Sequence, residues 1–316
     1  MTRYKQIDLS GVKTISIKKR RSKVRPTDFA RVFDARQGTF AEFIESLPHI
    51  LIAEDLRSFA IDVVGARKRG KPVILLMGAH VIKVGLSPLL IDMVKRKMLT
   101  CIAMNSAAAI HDVETAMWGR TSEDVEENLI DGRFGMSRET GEFINGVLER
   151  GMADEEIGYG EALGKALRKA PHAGLSVLGE CYRLGVPVTV HAAIGTDITH
   201  QQPTMDGAAT GELSFRDFKV LCHAVKDLRG GVIMNVGSAV VLPEVFLKAL
   251  TVVRNLGHKA QQFTAANFDM VQHYRPRMNV VHRPIRNGGK GYLFTGHHEI
   301  MIPLLFAMIK LRLRGR

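Results

Sequence analysis

The sequence predicts an α/β fold, a doubly wound and mostly parallel sheet with helices on both faces, and three observations predict it. Short runs such as "PVILLM", "TCIAM", "PVTV" and "GVIMNV" are apolar almost throughout instead of alternating, the mark of strands buried on both faces. Each is followed by a longer segment with apolar residues at three-to-four spacing, the period of a helix packed along one side. Strand then helix, repeated, needs a crossover at each step and makes the strands parallel.

Taken in order, "TFAEFIESLPHILIAEDLRSFAIDVVGARKRG" reads as helices ending at Gly70. "KPVILLMGAH" is a strand that opens into Gly78-Ala79-His80. "VIKVGLSPLLIDMVKRK" is a helix that tolerates Pro88 near its first turn or at a kink. "LTCIAMNS" is the second strand and "AAAIHDVETAMW" the helix after it. "GLSVLGECYRLG" is a helix and "VPVTVHAAIGTD" a strand entering a polar loop, "ITHQQPTMDGAATGE". "SFRDFKVLCHAVKDLRG" is a helix with Ser214 as its N-cap, "GVIMNVGSA" a strand, and "LPEVFLKALTVVRNLG" a helix closed by glycine. "AQQFTAANFD" is the fifth strand, and "HHEIMIPLLFAMIKLRLR" the last helix. No internal repeat or low-complexity segment interrupts the series.

The 316 residues, 46% apolar, are enough for a sizeable core. The net charge of +12 is not spread over the chain. Residues 1–26 hold nine Lys/Arg against one acid, and "KLRLRGR" at the end holds four more, leaving 31 basic and 31 acidic residues between them. Residues 1–38 therefore form a basic N-terminal arm. Residues 39–316 form a single domain, with an acidic, solvent-facing helical excursion at about 120–170. Only 6% of residues are aromatic, so the arm is a solvated segment or one docking on an acidic surface, and nucleic acid is not expected as a partner. No apolar stretch is long enough to span a bilayer, so no membrane partner is expected. No signal sequence is apparent, and Cys101, Cys181 and Cys222 lie far apart, which suits a cytoplasmic protein.

In such sheets ligands bind beyond the carboxyl ends of the strands. Those ends read Gly78-Ala79-His80, Asn105-Ser106-Ala107, Gly195-Thr196-Asp197, Asn235-Val236-Gly237-Ser238 and Thr264-Ala265, nearly all small or polar. Small residues let backbone N–H groups approach a phosphate or ribose. Neither G-x-G-x-x-G nor G-x-x-x-x-G-K-[ST] is present. His111-Asp112 sits one turn into an apolar helix. It is either a core histidine oriented by a carboxylate or part of a ligand site.

The order of these segments resembles the deoxyhypusine synthase family, NAD-dependent enzymes of spermidine chemistry with a Rossmann-type fold, over roughly residues 73–309. "NSAAAIHDVE" is similar to the family's small-residue turn leading into a pair of acids or His-Asp. "VPVTVHAAIGTD" is similar to its Pro-Val strand ending in Thr-Asp. "GVIMNVGSAVV" stands where the family has a glycine triplet, and "FTAANFD" and "HHEIMIPLL" resemble its last strand and helix. The resemblance implies NAD contacts at Ala79, His80, Asn105, Ser106, Ala107, Asp112, Asp197, Gly237, Ser238, Thr264, Ala265 and Asp269. Asp112 is expected to hold a ribose. It also implies a homo-oligomer, a tetramer in the family, with the basic arm able to reach a neighbour.

The departures concern catalysis. The family's lysine segment, Val-Ser-Trp-Gly-Lys, is replaced by "VHRPIRNGGKG", and its Lys-His-His by Leu242-Pro243-Glu244. Deoxyhypusine synthesis is therefore not expected. What is expected is an NAD-binding transferase- or oxidoreductase-like enzyme acting on an amine or related small cationic substrate. His282 or His298 would be its acid/base, and Glu244 or Asp206 would hold the cation. Lys290 is either a displaced catalytic lysine or a solvated loop lysine. Two alternatives stay open: a metal-assisted hydrolase using His191, His200, His297 and His298, and a non-catalytic scaffold of the same fold.

Overall fold

Six strands form one all-parallel sheet in the order β3-β2-β1-β4-β5-β6 in the computed structural model, which describes residues 3–314. The strands are β1 Val73–Met77, β2 Cys101–Asn105, β3 Val188–His191, β4 Val232–Val236, β5 Thr264–Asp269 and β6 Lys290–Thr295. The helices are α1 Phe40–Ser46, α2 Leu51–Lys68, α3 His80–Lys83, α4 Ser87–Lys95, α5 Ser106–Trp118, α6 Val125–Leu129, α7 Arg138–Gly151, α8 Tyr159–Leu167, α9 Val177–Leu184, α10 Gly207–Val225, α11 Val241–Asn255 and α12 His298–Arg314. A π-helical segment, Pro276–His282, lies between β5 and β6.

The chain divides into two compact units, one up to Glu54 and one from Asp55 onward. The first unit has little regular structure. Its helix α1 starts at a capping box in which Glu42 N–H bonds Thr39 Oγ1 (3.3 Å) and Thr39 N–H bonds Glu42 Oε2 (2.6 Å).

The second unit carries the sheet. All five residues of β1 are buried, and they pair with β2 on one side and β4 on the other. One face of the sheet (Ile74, Leu76, Ala103, Ile233, Ala265) packs on Leu221 and Val225 of α10 and Phe246 and Leu250 of α11. The other face meets Phe59 of α2, whose ring lies 5.6 Å from Phe268 and 5.7 Å from Phe294. Both faces are thus dry, which is why the strand runs do not alternate.

Several local expectations are corrected. Ser214 is not a cap, because α10 begins at Gly207, where Asp206 accepts from Ala208 N–H (2.8 Å) and Ala209 N–H (3.0 Å). Ser214 Oγ lies inside the helix and bonds the β3 backbone at Val190 O, 3.1 Å away. The segment expected as one helix after β1 is two, α3 and α4, parted at Gly85. The acidic excursion is not wholly solvent-facing. Helix α7 buries Ile144 and Leu148, and α8 buries Tyr159, Leu163 and Leu167 and packs on β3 and α9. Strand β3 ends the sheet, and its outer edge is covered: Val190 N–H bonds Asp217 Oδ2 (2.6 Å) and Val190 O accepts from Ser214 Oγ. Strand β6 went unread because it carries only "YLF" as an apolar run and is half exposed at the other edge.

Candidate functional site

The strand order turns back between β1 and β4, so their carboxyl ends define the switch point. The two ends touch. A Cβ at Gly78 would collide with the carbonyl oxygen of Gly237. Gly237 has φ +67°, and a Cβ there would come 2.7 Å from Cε1 of His298. His298, the first residue of α12, therefore lies over the switch point, 1% exposed, with Nε2 3.3 Å from Phe268 O. Its ring meets that of His80 edge-on, with centroids 5.6 Å apart, and its Nδ1 is buried without a hydrogen-bond partner among the described residues. Burial lowers the pKa of His298, with Asp269 opposing, so the ring is neutral near pH 7. Ala79 and His80 stand half-buried beside it. Ser238 Oγ accepts from Leu242 N–H (3.2 Å) and holds the start of α11, and Asp269 Oδ1 accepts from Met270 N–H (2.8 Å).

One strand further out, the ends of β2 and β3 open into a cleft of about 860 Å³. Asn105 Oδ1 caps α5 by accepting from Ala108 N–H (3.1 Å), which turns Ser106 and Ala107 into the first turn of the helix. Ser106 Oγ donates to Asp197 Oδ2. His200 Nδ1 accepts from Gly195 N–H (3.1 Å) and Asp197 N–H (3.2 Å), so the proton of the neutral ring is on Nε2, 3.9 Å from Asp197 Oδ2. The Asp197 side chain is only 7% exposed. Burial raises its pKa, and Ser106 and His200 oppose the rise.

Helix α5 forms one wall of this cleft with Ala107, Ile110, His111, Glu114 and Trp118. Lys83 of α3, the chain from Arg120 to Thr140, and Thr196–Ile198 supply the rest. His111 Nδ1 is 2.6 Å from Thr121 Oγ1, the same hydroxyl donates to Glu114 Oε2, and Thr140 Oγ1 reaches Glu114 Oε1 at 3.0 Å. A second cavity, about 770 Å³, lies at the opposite edge of the sheet, beside Pro72, Thr100 and Pro187, which precede β1, β2 and β3.

The structure thus brings Ala107 and Asp197 to one cleft, with Asn105 capping the helix and Ser106 bonded to Asp197 behind them, and Ala79, His80, Gly237, Ser238, Asp269 and His298 to the neighbouring switch point. It separates the others. Asp112, one residue on from His111, faces the core and is 0% exposed. Its carboxylate accepts from Ser176 Oγ (2.6 Å), Val177 N–H (2.7 Å) and Leu178 N–H (3.1 Å), so it caps α9 and has no face for a ribose. Thr264 and Ala265 begin β5, paired with the first residues of β4, and so lie at the amino edge of the sheet. Lys290 begins β6 at that same edge, and its Nζ ion-pairs with Asp62 at 2.7 Å, so it is no displaced active-site lysine. His282 is exposed at the end of the π-helical segment, close to the β6 start, since a Cβ at Gly291 would meet Val281. Glu244 does lie near the carboxyl end of β4, but Lys248, Arg275 (3.2 Å) and Asn279 (2.8 Å) already hold it, which leaves it little for a substrate cation. Asp206 is committed to its cap.

The histidines weighed as metal ligands are dispersed. His191 is buried against Thr189 Oγ1 (2.9 Å) with its pKa pushed down to about 3, and His297 pairs with Glu299 at the surface (3.8 Å). Among the described residues no group of three His, Cys, Asp or Glu side chains could hold a metal ion. Sequence reasoning missed Thr121, Glu114, Thr140 and Lys83. The available signal was Glu114 three residues after His111, on the same helix face.

No protein-family model and no curated protein matches the chain. Solved structures do. A deoxyhypusine synthase candidate from Entamoeba histolytica superposes with a TM-score of 0.53 at 11% identity, over 88% of this chain and 96% of that one. The ternary complex of AgrE with ornithine and NAD+ gives 0.52 at 14% identity, over 83% of this chain and 33% of that one. ArgZ, an arginine dihydrolase of the ornithine-ammonia cycle in cyanobacteria, gives 0.52 at 15%, over 83% and 32%. The chain therefore shares its fold with these proteins and spans about a third of the length of ArgZ and AgrE. At these identities the likeness is one of fold.

Proposed function

We propose that this chain is a deoxyhypusine-synthase-like protein that binds NAD across the carboxyl ends of β1, β2 and β3 and acts on a small amine. The reading is carried by one observation: Ala107, in the turn that opens α5, and Asp197 line a single cleft at the ends of adjacent parallel strands. The residues fit a dinucleotide. The N–H groups of Ser106 and Ala107 open a 13-residue helix and have no carbonyl of their own helix to bond, which suits a phosphate. Asp197 is the carboxylate these strand ends offer to ribose hydroxyls, in place of Asp112. The absence of a side chain at Gly78 lets the backbone of β1 close tightly on β4 next to the cleft.

When bound, NAD would supply a hydride acceptor. The carboxylates of Glu114 and Asp197 on the same walls favour a cationic substrate group. Deoxyhypusine synthesis lies outside this reading, because Lys290 stands at the far edge of the sheet. A homo-oligomer, a tetramer by the resemblance, is part of the proposal, and light scattering on the purified chain tests it. No helix among the described residues is long and apolar enough to cross a membrane.

The test is calorimetric titration of NAD into the purified protein. Binding below millimolar is expected for the natural sequence, with at least tenfold loss in Asp197→Ala and in Ala107→Phe, which fills the cleft. No binding at millimolar NAD would overturn the proposal.

A further inference from the structure

His111 and Glu114 lie on one face of α5, and Thr121, from the chain leaving that helix, stands between their heads. A carboxylate only accepts hydrogen bonds, and a hydroxyl has one proton to give. The Thr121 proton therefore goes to Glu114, and the Thr121 lone pair accepts from His111 Nδ1–H. Thr140 fixes Glu114 from its other oxygen. This bridge selects the Nδ1–H form of the neutral ring, the minor form of free histidine in water. It leaves Nε2 as a bare lone pair, with no hydrogen-bond partner among the described residues, on a side chain that lines the cleft.

We propose that His111 is the proton acceptor of this cleft, and that Glu114, acting through Thr121, is the positioning residue that presents His111 Nε2 to a ligand O–H or N–H. The inference rests on the cleft being the ligand site and not on which cofactor fills it. The ligand class is a small alcohol or amine that also carries an anionic group, for which Lys83 and Arg120, both exposed on the rim, provide positive charge. The step is a proton transfer. The ligand's O–H or N–H bond breaks, the proton joins Nε2, and the electron pair stays on the ligand heteroatom. Glu114 balances the imidazolium across the Thr121 bridge.

The charged groups around the ring divide by sign. Burial and Lys83 of α3 lower the pKa of His111, and Glu114 of α5 raises it. Arg120, Glu123, Arg133, Glu139 and Asp197 complete the charged lining on the adjacent segments. Burial has the largest effect, so the ring is neutral and ready to accept near pH 7.

Imidazole 15N spectra of the full, ligand-free chain at pH 7.5 test the proposal, together with the rate at which diethyl pyrocarbonate modifies His111. The natural protein and Thr121→Ser are expected to show the proton on Nδ1 and ready modification. Thr121→Val is expected to shift the proton toward Nε2 and slow modification several-fold, with Thr121→Ala as the smaller change should valine disturb the fold. A natural-sequence His111 with its proton on Nε2, or variants lacking the hydroxyl with unchanged spectra and rates, would overturn it. NAD binding with the wrong tautomer sinks this inference alone. The right tautomer without NAD binding sinks the cofactor reading alone.

Discussion

Asp112→Ala separates the structural role of this carboxylate from the ribose contact that the sequence pattern suggests. Removal strands the Ser176 hydroxyl and the Val177 and Leu178 N–H groups, all buried, without their acceptor. Each stranded donor costs about 1–3 kcal/mol. Against this, burial raises the pKa of Asp112 from 3.8 to about 6 despite those bonds, so the ionised group is itself disfavoured by about 3 kcal/mol at neutral pH. That cost leaves with the side chain. Ser176 still caps Gly179 N–H (2.8 Å), so α9 keeps part of its start. The net loss is about 2–4 kcal/mol, read by urea unfolding at pH 7.5.

The pH dependence follows from the sign of that shift. A folded pKa above the unfolded value gives stability that is full below the unfolded value and lost as pH rises through about 6. The gap between the natural protein and Asp112→Ala is therefore widest near pH 4 and narrows by pH 7. The folded variant is expected to bind NAD like the natural protein. A variant of unchanged stability that has lost NAD affinity more than tenfold would refute this reasoning and restore the ribose role.

Three further outcomes are expected. Gly78→Ala forces a methyl group against the Gly237 carbonyl and destabilises by about 1–3 kcal/mol in urea unfolding, so unchanged stability would contradict the close approach. Asp217, buried and raised to about 8, accepts both Val190 N–H (2.6 Å) and Gly160 N–H (2.8 Å) on one oxygen, which an asparagine oxygen can replace. Its raised pKa gives stability that is lost as pH rises through 8. Asp217→Asn should therefore gain on the natural protein between pH 6 and pH 9, and a pH-independent difference would refute the cause. Lys290→Ala removes a largely exposed lysine from its ion pair with the mostly buried Asp62, costs about 1 kcal/mol, and leaves NAD titrations unchanged, whereas lost binding would return the lysine to the site.

The sequence by itself determined the layered architecture. Five of the six strands and the parallel crossovers follow from runs such as Val73–Met77, whose burial on both faces is a property of composition and period. It also pointed to Asn105-Ser106-Ala107 and Asp197, because small and polar residues at the ends of buried strands are unusual enough to show in one dimension. Strand β6 escaped because an edge strand exposes half its residues and loses the apolar signature.

What only the tertiary structure decided is where each side chain points and what already holds it. His111 and Asp112 are neighbours in the chain, but about 100° of helix rotation sends one to the cleft and the other to the start of α9. Glu244 carries its charge near the right end of the sheet, yet the chain's own Arg275 and Lys248 occupy it. Thr264 looks like a strand-end residue and Lys290 like a loop lysine until the register puts both at the amino edge. The His111–Thr121–Glu114 bridge joins residues spread over ten positions, through a bend that the helix end imposes. Periodicity fixes which residues share a face, but only the packed fold fixes which partner each polar group finds there.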